Sequence, residues 1–78
     1  MAEPPRNKVL NSVENAFGDL CVDIFVRPDG TFGFDEYRRD PEDDAWHCLH
    51  RFGGLVFHSM EDALDRAKAS VAWLRNSA

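Results

Sequence analysis

Between residues 20 and 38 apolar side chains recur at every second position, Val22, Ile24, Val26, then Phe32 and Phe34, and the alternation is interrupted by Pro28-Asp29-Gly30. A period of two is that of a strand with one buried face. The tripeptide supplies a fixed φ at Pro28, a turn-capping carboxylate at Asp29 and a Gly30 free to take a positive φ, which suits a three-residue hairpin loop with a G1 bulge. The loop sets the register. Arg27 faces Thr31, and behind them Val26 pairs with Phe32, Phe25 with Gly33, Ile24 with Phe34, Asp23 with Asp35, Val22 with Glu36 and Cys21 with Tyr37. The five alternating apolar residues then share one face, leaving Phe25 and Tyr37 on the other.

Upstream, Val9, Leu10, Val13, Ala16 and Phe17 form a stripe at 100° per residue, and Gly18 stands where a glycine would end a helix. The pattern predicts a short N-terminal helix over 8–17, marginal at that length without tertiary packing. Downstream, 39–45 is an acidic loop with a proline. A third strand is expected over 46–51, with either Trp46, Cys48 and His50 or His47 and Leu49 facing the core, the first set being favoured because it buries Trp46. Gly53-Gly54 marks a turn, and residues 55–57 form a further short extended segment. Ser59 reads as an N-cap with Asp62 three residues on. Met60, Ala63, Leu64, Ala67, Val71 and Leu74 then give an apolar stripe on a helix running to about residue 74.

These elements predict an α+β domain: a three-stranded antiparallel β-meander, four-stranded if 55–57 pairs, with a C-terminal helix packed on one face and the short N-terminal helix beside it. Residues 1–7, with two prolines and nothing to bury, are expected to be a flexible tail, and 8–78 a single domain. A 78-residue chain buries only roughly 60 to 65% of its unfolded surface. Large side chains such as Phe32, Phe34 and Trp46 are therefore expected to carry the core.

The formal net charge of −5 works against phosphate backbones, and Arg38-Arg39, the only adjacent basic pair, lies among acids. No apolar run of 18 residues occurs, and the first residues lack the apolar core of a signal peptide, so a cytoplasmic location without membrane association is expected. Cys21 and Cys48 are expected to be free thiols.

Signals for chemistry are weak. His47, Cys48 and His50, with His58 and Cys21, come nearest to a metal set. Neighbouring strand residues diverge, so His47 and Cys48 cannot readily share an ion, whereas Cys48 and His50 can. No C-x-x-C or H-x-x-x-H spacing supports them, and the expectation is no metal, no cofactor, no catalytic residue and no enzyme activity. The acidic loop lacks the glycine and terminal glutamate of a calcium-binding loop. Asp23 opposite Asp35 reads as two hydrated carboxylates. On one regular helix Trp73 falls about 160° from the buried stripe, beside Asp62, Arg66 and Ala69. Trp73, Ala69 and Arg66 are therefore the candidate protein interface, unless the helix frays near Val71 and the indole folds back.

The runs VRPDGTFGFDEYRRDPEDDAW and LVFHSMEDALDRAKASVAWL resemble small bacterial proteins of uncharacterised function, over roughly residues 20 to 74. The resemblance implies a small sheet-plus-helix fold and brings no activity or site residues. The leading functional expectation is a cytosolic protein-interaction module acting on a protein partner or on itself as a homodimer. Nucleic-acid binding through the open sheet face comes second, and a metal-binding regulatory domain third.

Overall fold

The computed structural model describes residues 6–75, so most of the expected tail lies outside the described residues. The hairpin forms as β2 (Leu20–Val26) and β3 (Phe32–Arg39), and every expected pair from Val26↔Phe32 to Cys21↔Tyr37 is present. Within its loop the Gly30 N–H donates to the Arg27 carbonyl at 2.9 Å and the Arg27 N–H to the Thr31 carbonyl at 2.7 Å. Gly30 adopts φ 88°, and the Asp29 carboxylate accepts from the Thr31 N–H at 2.9 Å. Asp29 and Gly30 thus perform the tasks their chemistry suggests.

The segment expected to be a helix over 8–17 is instead a strand, β1 (Lys8–Glu14), antiparallel to β2. Phe17, which the helical stripe would bury, is 90% exposed. Two physical reasons decide the outcome. β2 is buried on both faces, with Val22 and Ile24 on one and Cys21 and Phe25 on the other, so it needs a strand on its free side. A ten-residue helix with two valines, two asparagines and a serine has little propensity to set against that pairing. Gly18 does take the left-handed conformation, φ 72°, but in the β1–β2 turn, where its N–H donates to the Asn15 carbonyl at 3.1 Å.

β4 (Trp46–Cys48) completes a four-stranded antiparallel meander in the order β1-β2-β3-β4. Cys48 pairs with Tyr37 and Trp46 with Arg39. That register places Trp46 and Cys48 on Tyr37's face, away from the core, contrary to expectation; Trp46 stays exposed and Leu49 is half-buried. The extended segment at 55–57 makes only an isolated bridge, Phe57 to Phe32.

The last element is broken where one continuous helix was expected. α1 (Met60–Ser70) starts at Ser59, whose hydroxyl accepts from the Asp62 N–H at 3.1 Å, and it stops at Val71, which is extended at φ −108° and ψ 106°. α2 (Ala72–Arg75) follows as a single turn. The break is stabilised by Arg75, whose guanidinium donates to the Lys68 and Ala69 carbonyls at 3.3 and 3.0 Å and so satisfies orphan acceptors at the end of α1.

The core lies between one sheet face and these helices: Val22, Ile24 and Phe34 against Ala63, Ala67, Val71 and Leu74. Small alanines let α1 approach closely, and Phe34 fills the centre with Phe52 and Phe57 rings at 5.0 and 5.8 Å.

Candidate functional site

The two edges of the sheet differ sharply. At the β4 edge, regular pairing ends after Cys48 and the chain bulges outward until Phe57 rejoins β3, its N–H donating to the Phe32 carbonyl at 2.9 Å and Phe32 returning the bond at 2.8 Å. A bulging backbone carries donors and acceptors that need partners. Asp35 serves the donors, its Oδ1 accepting from the N–H groups of Glu36, Arg51 and Phe52 at 2.8, 3.1 and 3.3 Å. Arg27 serves the acceptors, donating to the Phe32, Gly53 and Leu55 carbonyls at 2.9 Å each. The expected hydrated pair Asp23–Asp35 is thus half right. The register holds, but Asp35 is only 4% exposed and committed to the bulge.

Arg27 also stacks 5.1 Å from the Phe25 ring, which lies over Gly33; a Cβ on Gly33 would come within 2.9 Å of that ring. The open-face groups suited to contacting nucleobases, Phe25 and Arg27, are therefore engaged with each other and with the bulge.

Across the open face run Cys21, Tyr37 and Cys48, in register on three successive strands. Strand spacing puts the two cysteine Cα atoms roughly 10 Å apart, too far for a disulfide. Both are free. Burial pushes the Cys21 thiol up to about 11, helped by its bond to Asp23, against the pull of Ser12. Burial also raises Cys48 above the ordinary thiol value, and Tyr37 rises to about 12 through burial and its Cys48 neighbour. Thiols so protonated at neutral pH are weak nucleophiles. A cleft of about 190 Å³ beside Cys21 is lined by Ser12, Asp23, Tyr37 and Trp46 among others.

Among the described residues two groups of ligand-type side chains converge: Asp35, Cys48 and His50, and, in the acidic loop, Asp40, Asp43 and His47. In the second the carboxylates cap their own turns, Asp40 accepting from the Glu42 N–H and Asp43 from the Ala45 N–H at 2.8 and 2.9 Å. The Ala45 N–H holds the Asp43 carboxyl below the usual carboxylate value.

The expected interface residues are separated by the helix break. Arg66 and Ala69 are exposed on α1, while Trp73 lies beyond Val71, half-buried against the core, with its Nε1–H donating to Glu36 Oε2 at 2.9 Å. Glu36 is buried and also reached by Arg51 Nη1 at 3.4 Å. The indole is folded back, as the fraying alternative anticipates, and no local signal marks Glu36 as its acceptor.

The β1 edge is the contrasting surface. Of its seven residues only Val13 is even half-buried. The Asn15 N–H donates to the Leu20 carbonyl at 3.0 Å, so antiparallel alternation aims the Val13 and Asn11 backbone groups at β2 and those of Ser12 and Glu14 outward. Beside this edge Val9 and Leu10 are exposed apolar residues. A bulge between Val9 and Asn11 limits the regular part of the edge to Asn11 through Glu14.

Among the described residues no helix is long and apolar enough to cross a membrane. No protein-family model, no curated protein and no solved structure matches this chain.

Proposed function

We propose that the chain is a small protein-interaction module that works by adding a strand to its β1 edge, the first partner being a second copy of itself. The observation that supports this reading is the asymmetry of the sheet. Its β4 side is occupied by the bulge, Asp35 and Arg27, whereas β1 presents outward backbone groups at Ser12 and Glu14 with exposed Val9 and Leu10 alongside. An unpaired edge is a template for another strand. Two β1 strands meeting antiparallel about a two-fold axis would extend the sheet to eight strands and form a closed assembly. The gain from covering apolar surface offsets only part of the association entropy, so the expected dimer is weak, on the order of micromolar.

Sedimentation equilibrium on the wild type, Ser12→Pro and Ser12→Ala tests the proposal. Proline at 12 removes an outward N–H while sparing the ladder to β2, and alanine controls for the Ser12 hydroxyl, which donates to Asp23 Oδ1 at 2.6 Å. Wild type and Ser12→Ala should dimerise at tens to hundreds of micromolar with Ser12→Pro monomeric. A wild type that stays monomeric throughout, or an equally dimeric Ser12→Pro, refutes it.

A further inference from the structure

We propose that Asp35, Cys48 and His50 form a binding site for a divalent transition-metal ion, with zinc the best match to the donor set. Carboxylate oxygen, thiolate sulfur and imidazole nitrogen are the three donor types zinc takes, and one ligand atom from each residue lies within 4.8 Å of the others. Tetrahedral zinc with ordinary bond lengths asks for ligand atoms about 3.4 to 3.7 Å apart. Cys48 Sγ and Asp35 Oδ2 are already 3.3 Å apart.

The fold prepares each ligand. Asp35 is buried and held through Oδ1 by three backbone N–H groups, so its Oδ2 remains to face the thiol. A Cβ at Gly53 would come within 2.8 Å of that oxygen, so the glycine lets the bulge close over it. Cys48 is fixed by its backbone pairing with Tyr37. His50 is at φ 55°, an uncommon conformation for a residue other than glycine, at the point where the chain leaves the strand. Its exposure leaves a fourth position for water or for a ligand from a partner.

Binding replaces the Cys48 S–H···Asp35 hydrogen bond. The thiol proton leaves to solvent, sulfur and Oδ2 both turn to the cation, and one proton is released per ion. The acidic-loop group of Asp40, Asp43 and His47 is the competing site; its Asp43 and His47 are exposed and it has no sulfur donor.

The test is titration of the chelator-treated full-length protein with cobalt(II), followed by displacement with zinc. One cobalt per chain should bind with a thiolate-to-cobalt charge-transfer absorption, and zinc should abolish it. Cys48→Ser should remove the absorption, and both Cys48→Ser and His50→Gly should weaken zinc binding at least about tenfold. Glycine is at ease at a positive φ, so His50→Gly should keep the fold, which circular dichroism checks. Cys21→Ser and His47→Ala should bind as wild type. Absence of the thiolate band at stoichiometric cobalt overturns the proposal, as does wild-type affinity in folded Cys48→Ser and His50→Gly, or a band lost in Cys21→Ser.

Discussion

Asp35 and Arg27 divide the work of holding the 49–57 bulge, one taking its donors and the other its acceptors. Truncating a buried hub exposes its partners' unmet bonds, so Asp35→Ala should destabilise the domain by on the order of 3 kcal/mol. Asp35→Asn should cost clearly less, because an amide oxygen still accepts at Oδ1. Urea denaturation of the two variants checks the order. Phe34, fully buried at the centre, should cost about 3 to 5 kcal/mol on truncation to alanine, while Trp46→Ala on the open face should cost under about 1 kcal/mol. The raised thiol gives a pH signature. Below the ordinary value of 9.0 the Cys21 thiol is neutral folded and unfolded, and no stability depends on it. Between 9.0 and about 11 the unfolded chain ionises while the native thiol keeps its proton, so stability falls as pH rises. Tyr37 continues the decline from 10.0 to about 12. Denaturation midpoints should therefore drop between pH 8 and pH 11, and the drop should be smaller in Cys21→Ala.

At the scale of elements, the hairpin was legible because two local signals coincide, a turn tripeptide that fixes the register and a period-two pattern that needs that register. The start of α1 was legible for a similar reason, since the Ser59 cap and the apolar stripe point to one boundary. β1 was not. The bulge at Leu10 sets Val9 across from Phe25 and Val13 across from Val22, on opposite faces. Residues four apart in a regular strand share a face, so the bulge breaks the alternation and leaves a spacing that mimics a helix. The stop at Val71 was present in the sequence as the fraying alternative; what was hidden is the acceptor of the indole N–H, Glu36, 37 residues away from Trp73. Of the candidate metal set, Cys48 with His50 was anticipated from strand alternation, although β4 ends at Cys48 and His50 comes near through a turn at φ 55°, and Asp35 enters only through the fold. A strand at 8–14 has a particular amide-exchange pattern: Asn11 and Val13 should be protected and Ser12 and Glu14 exchange rapidly in dilute protein. A helix over 8–17 would protect consecutive amides from about residue 12 onward instead.

For the molecule as a whole, both functional proposals follow from how the sheet ends. One side is closed by a bulge whose buried carboxylate sits against a thiol and an imidazole; the other is an open strand. Trp73 no longer supports an interface by projecting from α1, which shifts the candidate contact from the helix to the edge. The most direct measurement is amide exchange and chemical shift across residues 8–14 as protein concentration is raised from micromolar to millimolar. The account predicts that the Ser12 and Glu14 amides become protected together while α1 and the Trp73 indole are unchanged. Protection or shifts appearing instead at Arg66, Ala69 and Trp73, or no dependence on concentration at Ser12 and Glu14, would contradict it.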